Sequence, residues 1–384
     1  MAKQKLNQDI YKEIRPYTDE EIPYAINRML QSKGFITSLT NFLPDVPINV
    51  LVKKVRKIRT TEQMQKEILI EICRTFKERS IDNFSVSGFG KLDPNKAYLY
   101  IANHRDIIMD SALLQIFLTD NDLKICRSCI GDNLLTAPIF TDIAKCGNMF
   151  TITRTGSARQ ILANSNLVSN YIRKSICEDK SSVWLAQRNG RTKDGYDKTQ
   201  QSVLKMLYSS KKNVDIYDSI RELNIVPVTI SYEFEPCDQM KARELILKEK
   251  MKKYVKLSDE DFKSIMTGIF SYKGRVHLQF GRIINEQIDE SLSFSCDNDK
   301  IQYVCSLIDK QMYSNYRLWP NNHIAYDILN NTTEFQNYYS EFSKRDFNQH
   351  IKKQSNVDDV SYFKMKQKLL EIYANPVKAF LENK

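Results

Sequence analysis

From about residue 84 onward, short apolar runs alternate with longer segments of helical periodicity. Strands that alternate with helices are typical of an α/β architecture, so we predict a mostly parallel central sheet flanked by helices. Ligands of such sheets bind beyond the carboxyl ends of the strands, which are therefore the places to look for a site. The predicted strands are AYLYIAN (97–103), LKICRSCI (123–130), MFTIT (149–153), VWLAQ (183–187), IVPVTISY (225–232) and RVHLQFG (275–281).

The two ends of the chain have a different pattern. Residues 22–30 and 61–76 carry apolar residues at spacings of three and four, which predicts helices. Thr60 and Gln63 fit a capping box at the start of the second of these helices. We predict three regions: an N-terminal helical region at 1–83, an α/β domain at 84–295 and a C-terminal helical extension at 296–384.

Composition narrows the class of protein. The 384 residues are 42% hydrophobic and 27% charged, as in an ordinary soluble globular protein. No stretch approaches the roughly 18 apolar residues of a membrane-spanning helix, and the first residues lack the apolar core of a secretory signal. We therefore expect a cytoplasmic protein. The net charge of +10 favours a polyanionic partner, although a solvated basic surface explains it equally well.

Cys126 and Cys129 form a C-x-x-C pair among the eight cysteines. A zinc site needs four ligands, and neither a second pair nor a histidine cluster accompanies this one. Both cysteines fall within a predicted buried strand. We interpret them as reduced core thiols and predict no metal site.

A histidine follows the first predicted strand, within the sequence IANHRDIIMD. Histidine has an unperturbed pKa of about 6.5, which suits proton abstraction near neutral pH. Asp110 is expected one to two turns into the apolar helix that follows, where its carboxylate can fix the tautomer of His104. We predict that His104 is a general base and Asp110 its partner. A core histidine beside a helix-capping aspartate is the alternative interpretation.

The letters HRD also open the catalytic loop of protein kinases. That loop requires an asparagine five residues after the aspartate, and Ser111 occupies this position. The sequence SGFGKL (87–92) is a lone G-x-G, and no D-F-G follows it. These differences exclude a protein kinase.

The sequence NHRDIIMD (103–110) resembles the first motif of the glycerophosphate acyltransferase superfamily, a histidine and an aspartate separated by four residues. Each resembling stretch lies in a predicted strand or at its end, and together they span about residues 84–285. Four motifs in the family's order are stronger evidence than any one of them. The stretches that resemble its second, third and fourth motifs are GNMFTITR (147–154), WLAQRNGRTKDG (184–195) and VPVTISYE (226–233).

The chain departs from the family pattern in several places. Five residues rather than four separate His104 from Asp110, so the turn between them has to absorb one residue. If it does not, Asp106 is the alternative partner. The second motif also carries one extra residue. Asn189 stands where the third motif has a glutamate, and it can form a hydrogen bond but brings no charge.

The resemblance implies an acyl transfer in phospholipid biosynthesis. The donor is an acyl thioester of coenzyme A or acyl carrier protein, used as a co-substrate without a further cofactor. The acceptor is a hydroxyl of glycerol-3-phosphate or 1-acylglycerol-3-phosphate, the former favoured by the fourth motif. Arg154 and Arg191 are expected on the phosphate with Lys193 in support, and Pro227 on the wall of the acyl site or simply in the core. The substrate-binding residues implied are Arg154, Asn189, Gly190, Arg191, Lys193 and Pro227.

The sequence INVLVKKVRKIR (48–59) interleaves apolar and basic residues. This fits either a peripheral contact with the anionic inner face of a membrane or a solvated helix face. Three other functions stay open. Asn189 leaves room for another lysolipid or a non-phosphate acceptor, and the altered spacings leave room for an inactive scaffold. A basic nucleic-acid-binding protein is the third, but no recognised binding motif or stacking pattern of aromatics supports it.

Overall fold

The computed structural model describes residues 9–154, 156–250, 254, 259–289 and 291–384. The strands of the described chain form a seven-stranded sheet in the order β1-β7-β6-β2-β5-β3-β4. β6 and β7 are antiparallel and the other neighbours are parallel, which confirms the predicted α/β class. The strands are β1 (Ile81–Ser87), β2 (Leu99–Ala102), β3 (Arg127–Gly131), β4 (Met149–Ile152), β5 (Val183–Ala186), β6 (Ile225–Tyr232) and β7 (Gly274–Phe280).

Alternation along the central strands divides the core into two layers. Leu99 and Ile101 of β2 pack on one face, in a cluster with residues of the helices that follow β4 and β5. Tyr100 and Ala102 pack on the other face, together with Trp184 of β5. The candidate site lies on this second face.

One predicted strand begins later than expected, and one observed strand was not predicted. β3 begins at Arg127 rather than at residue 123, because Cys126 is already tied to the neighbouring helix through Gln115. β1 was not predicted, and it begins three residues before the expected domain boundary at residue 84. The division into three regions stays a prediction.

The N-terminal helices pack around Met29, Leu39, Val55 and Ile68 in a cluster of their own. The last of them is one continuous helix from Thr61 to Ser80 that contains a π-helical turn, and it begins with the predicted Thr60–Gln63 capping box. The elements are α1 (Ile22–Gln31), α2 (Lys33–Phe42), α3 (Ile48–Lys57), α4 (Thr61–Met64), the π-turn Gln65–Leu69 and α5 (Ile70–Ser80).

The remaining helices flank the sheet or follow it. Those that precede residue 296 are α6 (Met109–Asp120), α7 (Pro138–Cys146), α8 (Ala158–Arg173) with a π-turn at Lys174–Glu178, α9 (Gln201–Tyr208), α10 (Ile216–Arg221), α11 (Asp238–Lys250) and α12 (Glu260–Phe270). Those that follow are α13 (Asp297–Asn315), α14 (Pro320–Asn330), α15 (Glu341–Gln354) and α16 (Tyr362–Glu382). Short 3-10 turns occur at Phe89–Lys91, Asp132–Leu134, Ile284–Glu286 and Gln336–Tyr338.

α11 packs against α16, so the C-terminal helices and this helix of the central region share one apolar cluster. Among the described residues, no helix combines the length and the apolar character needed to cross a membrane.

Candidate active site

His104 and Asp110 are in direct contact where the chain leaves β2 and enters α6. The Nδ1 atom of His104 lies 2.9 Å from Oδ2 of Asp110. Asp110 stands in the first turn of α6, not one to two turns into it as expected from the sequence. Because α6 begins only at Met109, His104 lies outside the helix, and the intervening turn accommodates the additional residue.

The surroundings of Asp110 determine which nitrogen of His104 is available. Oδ2 of Asp110 also accepts hydrogen bonds from the backbone N–H groups of Arg105 (2.7 Å) and Asp106 (2.9 Å). The hydroxyl of Tyr232 donates to Oδ1 at 2.8 Å, and burial beside this carboxylate raises the pKa of Tyr232. Because this carboxylate acts as an acceptor in all these hydrogen bonds, Nδ1 of His104 carries the proton and donates to it. Nε2 of His104 is therefore the basic nitrogen.

Asp106 does not act as the alternative partner. Its Oδ1 accepts from the backbone N–H groups of Ile108 (2.9 Å) and Met109 (2.8 Å), so it caps the start of α6. Its side chain is 1% exposed, and a Cβ added to Gly268 of α12 would meet its Oδ2. Asp106 was the alternative only if the turn could not absorb the extra residue, and here the turn does so and Asp106 Oδ1 is used by the helix.

A cavity of about 330 Å³ lies between α5, α6 and the strands β3 to β5, and His104 is part of its wall. The imidazole side chain is 12% exposed and meets the ring of Trp184 edge-on, with 5.8 Å between the ring centroids. His104 is therefore accessible from the cavity while its partner Asp110 is buried behind it.

Arginine side chains line the same cavity near His104. Arg191 is 9% exposed, and its Nη1 is buried without a hydrogen-bond partner. Arg188 likewise has a buried Nε without a partner. Arg154 lies over Gly131, where an added Cβ would be 2.8 Å from its Nε. Guanidinium groups arranged in this way suit a phosphate or another anion.

The loop after β5 carries Arg188 and Arg191 and is attached to the turn that holds His104. The backbone N–H of Thr192 donates to the carbonyl oxygen of His104 at 2.7 Å, so the loop is fastened to the turn that carries the histidine. Gly190 has a φ of 75° and lines the cavity, a conformation that favours glycine. Asn189 is exposed, lines the cavity and donates its backbone N–H to Gln200. Lys193 lines the cavity and forms an ion pair with Glu244.

Pro227 is not brought to the cavity. It lies in β6 opposite Ile101 of β2, and its carbonyl oxygen accepts a hydrogen bond from Gly281. The residues that line the cavity do not include it. Its position fits the alternative of core packing rather than a place in the wall of this cavity.

Sequence reasoning missed two features of the site. Arg188 directly precedes Asn189, and its position beside the third motif was the signal that could have identified it. Arg105 is the second: it is 1% exposed and forms buried ion pairs with Asp197 (2.7 Å) and Glu235 (3.0 Å). It does not line the cavity, so it supports the turn rather than the substrate.

The C-x-x-C cysteines have no disulfide. Burial raises the pKa of Cys126 to about 12 and that of Cys129 to about 11, which makes both poor nucleophiles at neutral pH. Within the described ranges, no group of three or more His, Cys, Asp or Glu side chains is placed to hold a metal ion.

Comparison with known proteins finds a matching family model and a similar solved structure. Residues 83–231 match the acyltransferase family model. Among solved structures, a similar one is the 1-acyl-sn-glycerophosphate (LPA) acyltransferase PlsC from Thermotoga maritima. The two sequences are 16% identical, and the TM-score is 0.38. The match covers 74% of this chain and 96% of that chain. A comparison with curated proteins finds no match. The matched segment contains His104, Asp110 and Arg191, and it belongs to the acyltransferase family.

Proposed function

We propose that the protein transfers a fatty acyl group from an acyl thioester to a hydroxyl of glycerol-3-phosphate or 1-acylglycerol-3-phosphate. The observation that carries the proposal is the pair of His104 and Asp110 (2.9 Å) beside a cavity lined by arginines. The thioester, on coenzyme A or acyl carrier protein, is a co-substrate, and the reaction needs no resident cofactor. The product would enter phospholipid biosynthesis.

The reaction uses His104 as a proton shuttle. Nε2 takes the proton of the acceptor hydroxyl while the oxygen attacks the thioester carbonyl and a C–O bond forms. The C–S bond then breaks, and the departing sulfur receives the proton from the imidazolium. Asp110 holds the ring and stabilises its positive charge. A general base of this kind contributes roughly 10² to 10⁴ in rate, and the positioning of two bound substrates contributes more.

The cationic side of the cavity would bind the acceptor phosphate. Arg191 and Arg188 each present a buried nitrogen without a partner, and an unpaired buried donor is costly until an anion fills the site. Arg154 lines the same cavity. Lys193 is already paired with Glu244, so we assign it a supporting role.

A different acceptor is the second candidate. Asn189 carries no charge at the position where the family pattern has a glutamate, and it is exposed at the cavity. This favours a looser contact with the acceptor, as expected for another lysolipid or a non-phosphate lipid. Replacement of Arg191 separates the two cases, because it should affect a phosphorylated acceptor more than a neutral one.

The experiment incubates the protein with labelled acyl-coenzyme A or acyl carrier protein and a panel of phosphorylated and neutral acceptors, with products identified by mass spectrometry. We expect His104→Ala to lower turnover by about 10² to 10⁴ while the thermal unfolding temperature is kept. Arg191→Ala should raise the KM for phosphorylated acceptors. Wild-type turnover in His104→Ala would exclude this mechanism, and an equal effect of Arg191→Ala on neutral acceptors would remove the phosphate assignment.

We also propose a peripheral position at the inner face of a membrane. Leu51 and Val55 of α3 are buried against the other N-terminal helices, whereas Lys53, Arg56 and Lys57 are exposed. A contact through this helix would be electrostatic, worth about 1 kcal/mol for each basic residue near an anionic surface.

A further inference from the structure

The cavity extends away from His104 along the strands β3 and β4. Gly131 and Arg154 mark its end at the carboxyl edge of the sheet. Ser128 and Met149, which are paired at the beginnings of β3 and β4, line it at the opposite edge. We call the region near Ser128 and Met149 the inner end.

Much of the wall between the two ends is apolar. This wall suits the hydrocarbon chain of an acyl group whose carbonyl lies at His104. The charged parts of both substrates would then lie near the arginines. The apolar residues that line it include Leu69, Ile70, Ile108, Ala112, Ile130 and Met149.

The inner end nevertheless carries the amide of Gln65. This residue is 4% exposed and lines the cavity, and its Oε1 is buried without a hydrogen-bond partner. It begins the π-turn of the helix, one turn before Leu69, which lies against Gly147. π-turns inside α-helices occur frequently at functional sites.

A second glutamine at the same end, Gln115, has hydrogen-bond partners for its side-chain amide, unlike Oε1 of Gln65. The Nε2 of Gln115 donates to the carbonyl oxygen of Cys126 (2.7 Å) and to Ser128 (3.2 Å), and its Oε1 accepts from the backbone of Cys126 (3.1 Å). The amide of Gln115 is thus used by the protein itself. The Oε1 of Gln65 is not.

We infer that the inner end receives an acyl chain that carries a hydroxyl group, and that Gln65 selects it. An unsubstituted methylene chain would leave the buried Oε1 atom of Gln65 without a partner, which is costly. A hydroxyl can donate a hydrogen bond to the Oε1 atom of Gln65, which the protein leaves without a partner. A site built around a buried polar group discriminates strongly against a ligand that lacks the matching one. The assignment rests on the proposed function, since it takes the chain to start at His104.

Binding tests the assignment without turnover. Hexadecanoate and its monohydroxy isomers would be compared by displacement of a fluorescent fatty acid from the full-length protein. We expect one isomer to bind about tenfold more tightly than hexadecanoate, and Gln65→Met to abolish that difference. Lys66→Met, a neighbouring change on the same helix, should keep it. Gln65→Leu gives a second apolar replacement if the methionine variant unfolds at a lower temperature.

Two results would overturn the inference: no isomer that binds more tightly than hexadecanoate, or a preference that survives in both Gln65 variants. Turnover of thioesters of the same chains separates this inference from the proposed function. Selective binding through Gln65 without turnover of any thioester would reject the acyl transfer and keep the binding site. Turnover of all chains with equal kcat/KM would reject the selection by Gln65 and keep the acyl transfer.

Discussion

The Asp110 carboxylate accepts several hydrogen bonds beside the candidate base. It accepts from His104, from two backbone N–H groups of the turn and from the buried hydroxyl of Tyr232. Each of these donors orients the carboxylate, and the carboxylate in turn orients the imidazole. The position of His104 is therefore fixed by the backbone of its own turn as well as by one side chain.

Asp309 gives a prediction on stability at the scale of one residue. It is 7% exposed in α13 and accepts the backbone N–H of Thr199 at 2.7 Å. Burial raises its pKa from 3.8 to about 6, so the folded protein holds this proton more tightly than the unfolded chain does. Its contribution to stability is greatest below the unfolded pKa and is lost as the pH rises through about 6.

For Asp309→Asn we expect the free energy of unfolding, variant minus wild type, to rise by about 2.5 kcal/mol between about pH 4 and about pH 8. Urea unfolding at both pH values measures it. The same substitution at exposed Asp45 is the control for the loss of a charge. A difference that does not change with pH would mean that Asp309 is ionised normally in the fold.

At this scale the sequence allowed the histidine and its candidate aspartates to be predicted, but not the choice between them. That choice depends on the residue at which α6 begins, which the apolar pattern defines only within a turn. Asp106 lies just before the helix and caps it, whereas Asp110 lies within the first turn. Pro227 was misplaced for a similar reason, since a strand in the interior of a sheet gives no signal of which neighbours cover it.

At the scale of elements, the packing of α12 on the turn before α6 gives the next prediction. A Cβ at Gly268 would lie 2.1 Å from Oδ2 of Asp106, the residue that caps α6. We expect Gly268→Ala to destabilise the fold by about 1–3 kcal/mol, because a tightly packed site has to move. It should also lower kcat, since the displaced turn carries His104.

Thermal unfolding and steady-state kinetics check this expectation. Gly34→Ala in α2 is the matched control, because the nearest atom to its added Cβ is Ser32 Oγ at 3.8 Å, and alanine favours a helix. Equal stability and equal kcat in Gly268→Ala and wild type would show that the turn adapts freely.

The same scale explains which elements could be predicted from the sequence. β6 is buried at all eight positions and is mostly apolar, so its bounds were predicted without error. β1 lies at the edge of the sheet, pairs with β7 alone and is largely exposed or half-buried, so its sequence IDNFSVS lacks such a run. The π-turn Gln65–Leu69 was not predicted, because one wider turn hardly alters the apolar spacing.

For the whole molecule, the net charge of +10 and the exposed basic residues of α3 predict salt-sensitive binding to anionic vesicles. We expect co-sedimentation at low salt that weakens as salt is added, and a larger loss in Lys53→Gln/Lys57→Gln than in the control Lys364→Gln/Lys366→Gln. All four lysines are exposed, so each variant removes two surface charges and the two variants differ only in where the charges are removed. Binding that does not depend on the salt concentration, or an equal loss of vesicle binding in both variants, would exclude α3 as the membrane contact.

The arrangement around Arg105 has a consequence for how the protein becomes active. Its guanidinium group is joined to Asp197 and Glu235, which are 92 and 130 residues further along the chain. Contacts of such long range form late, after local helices and turns. A partly folded chain therefore has its histidine but lacks the long-range ion pairs that support the turn. During refolding, recovered catalysis would report the completed native state, and it would lag behind the return of helical signal.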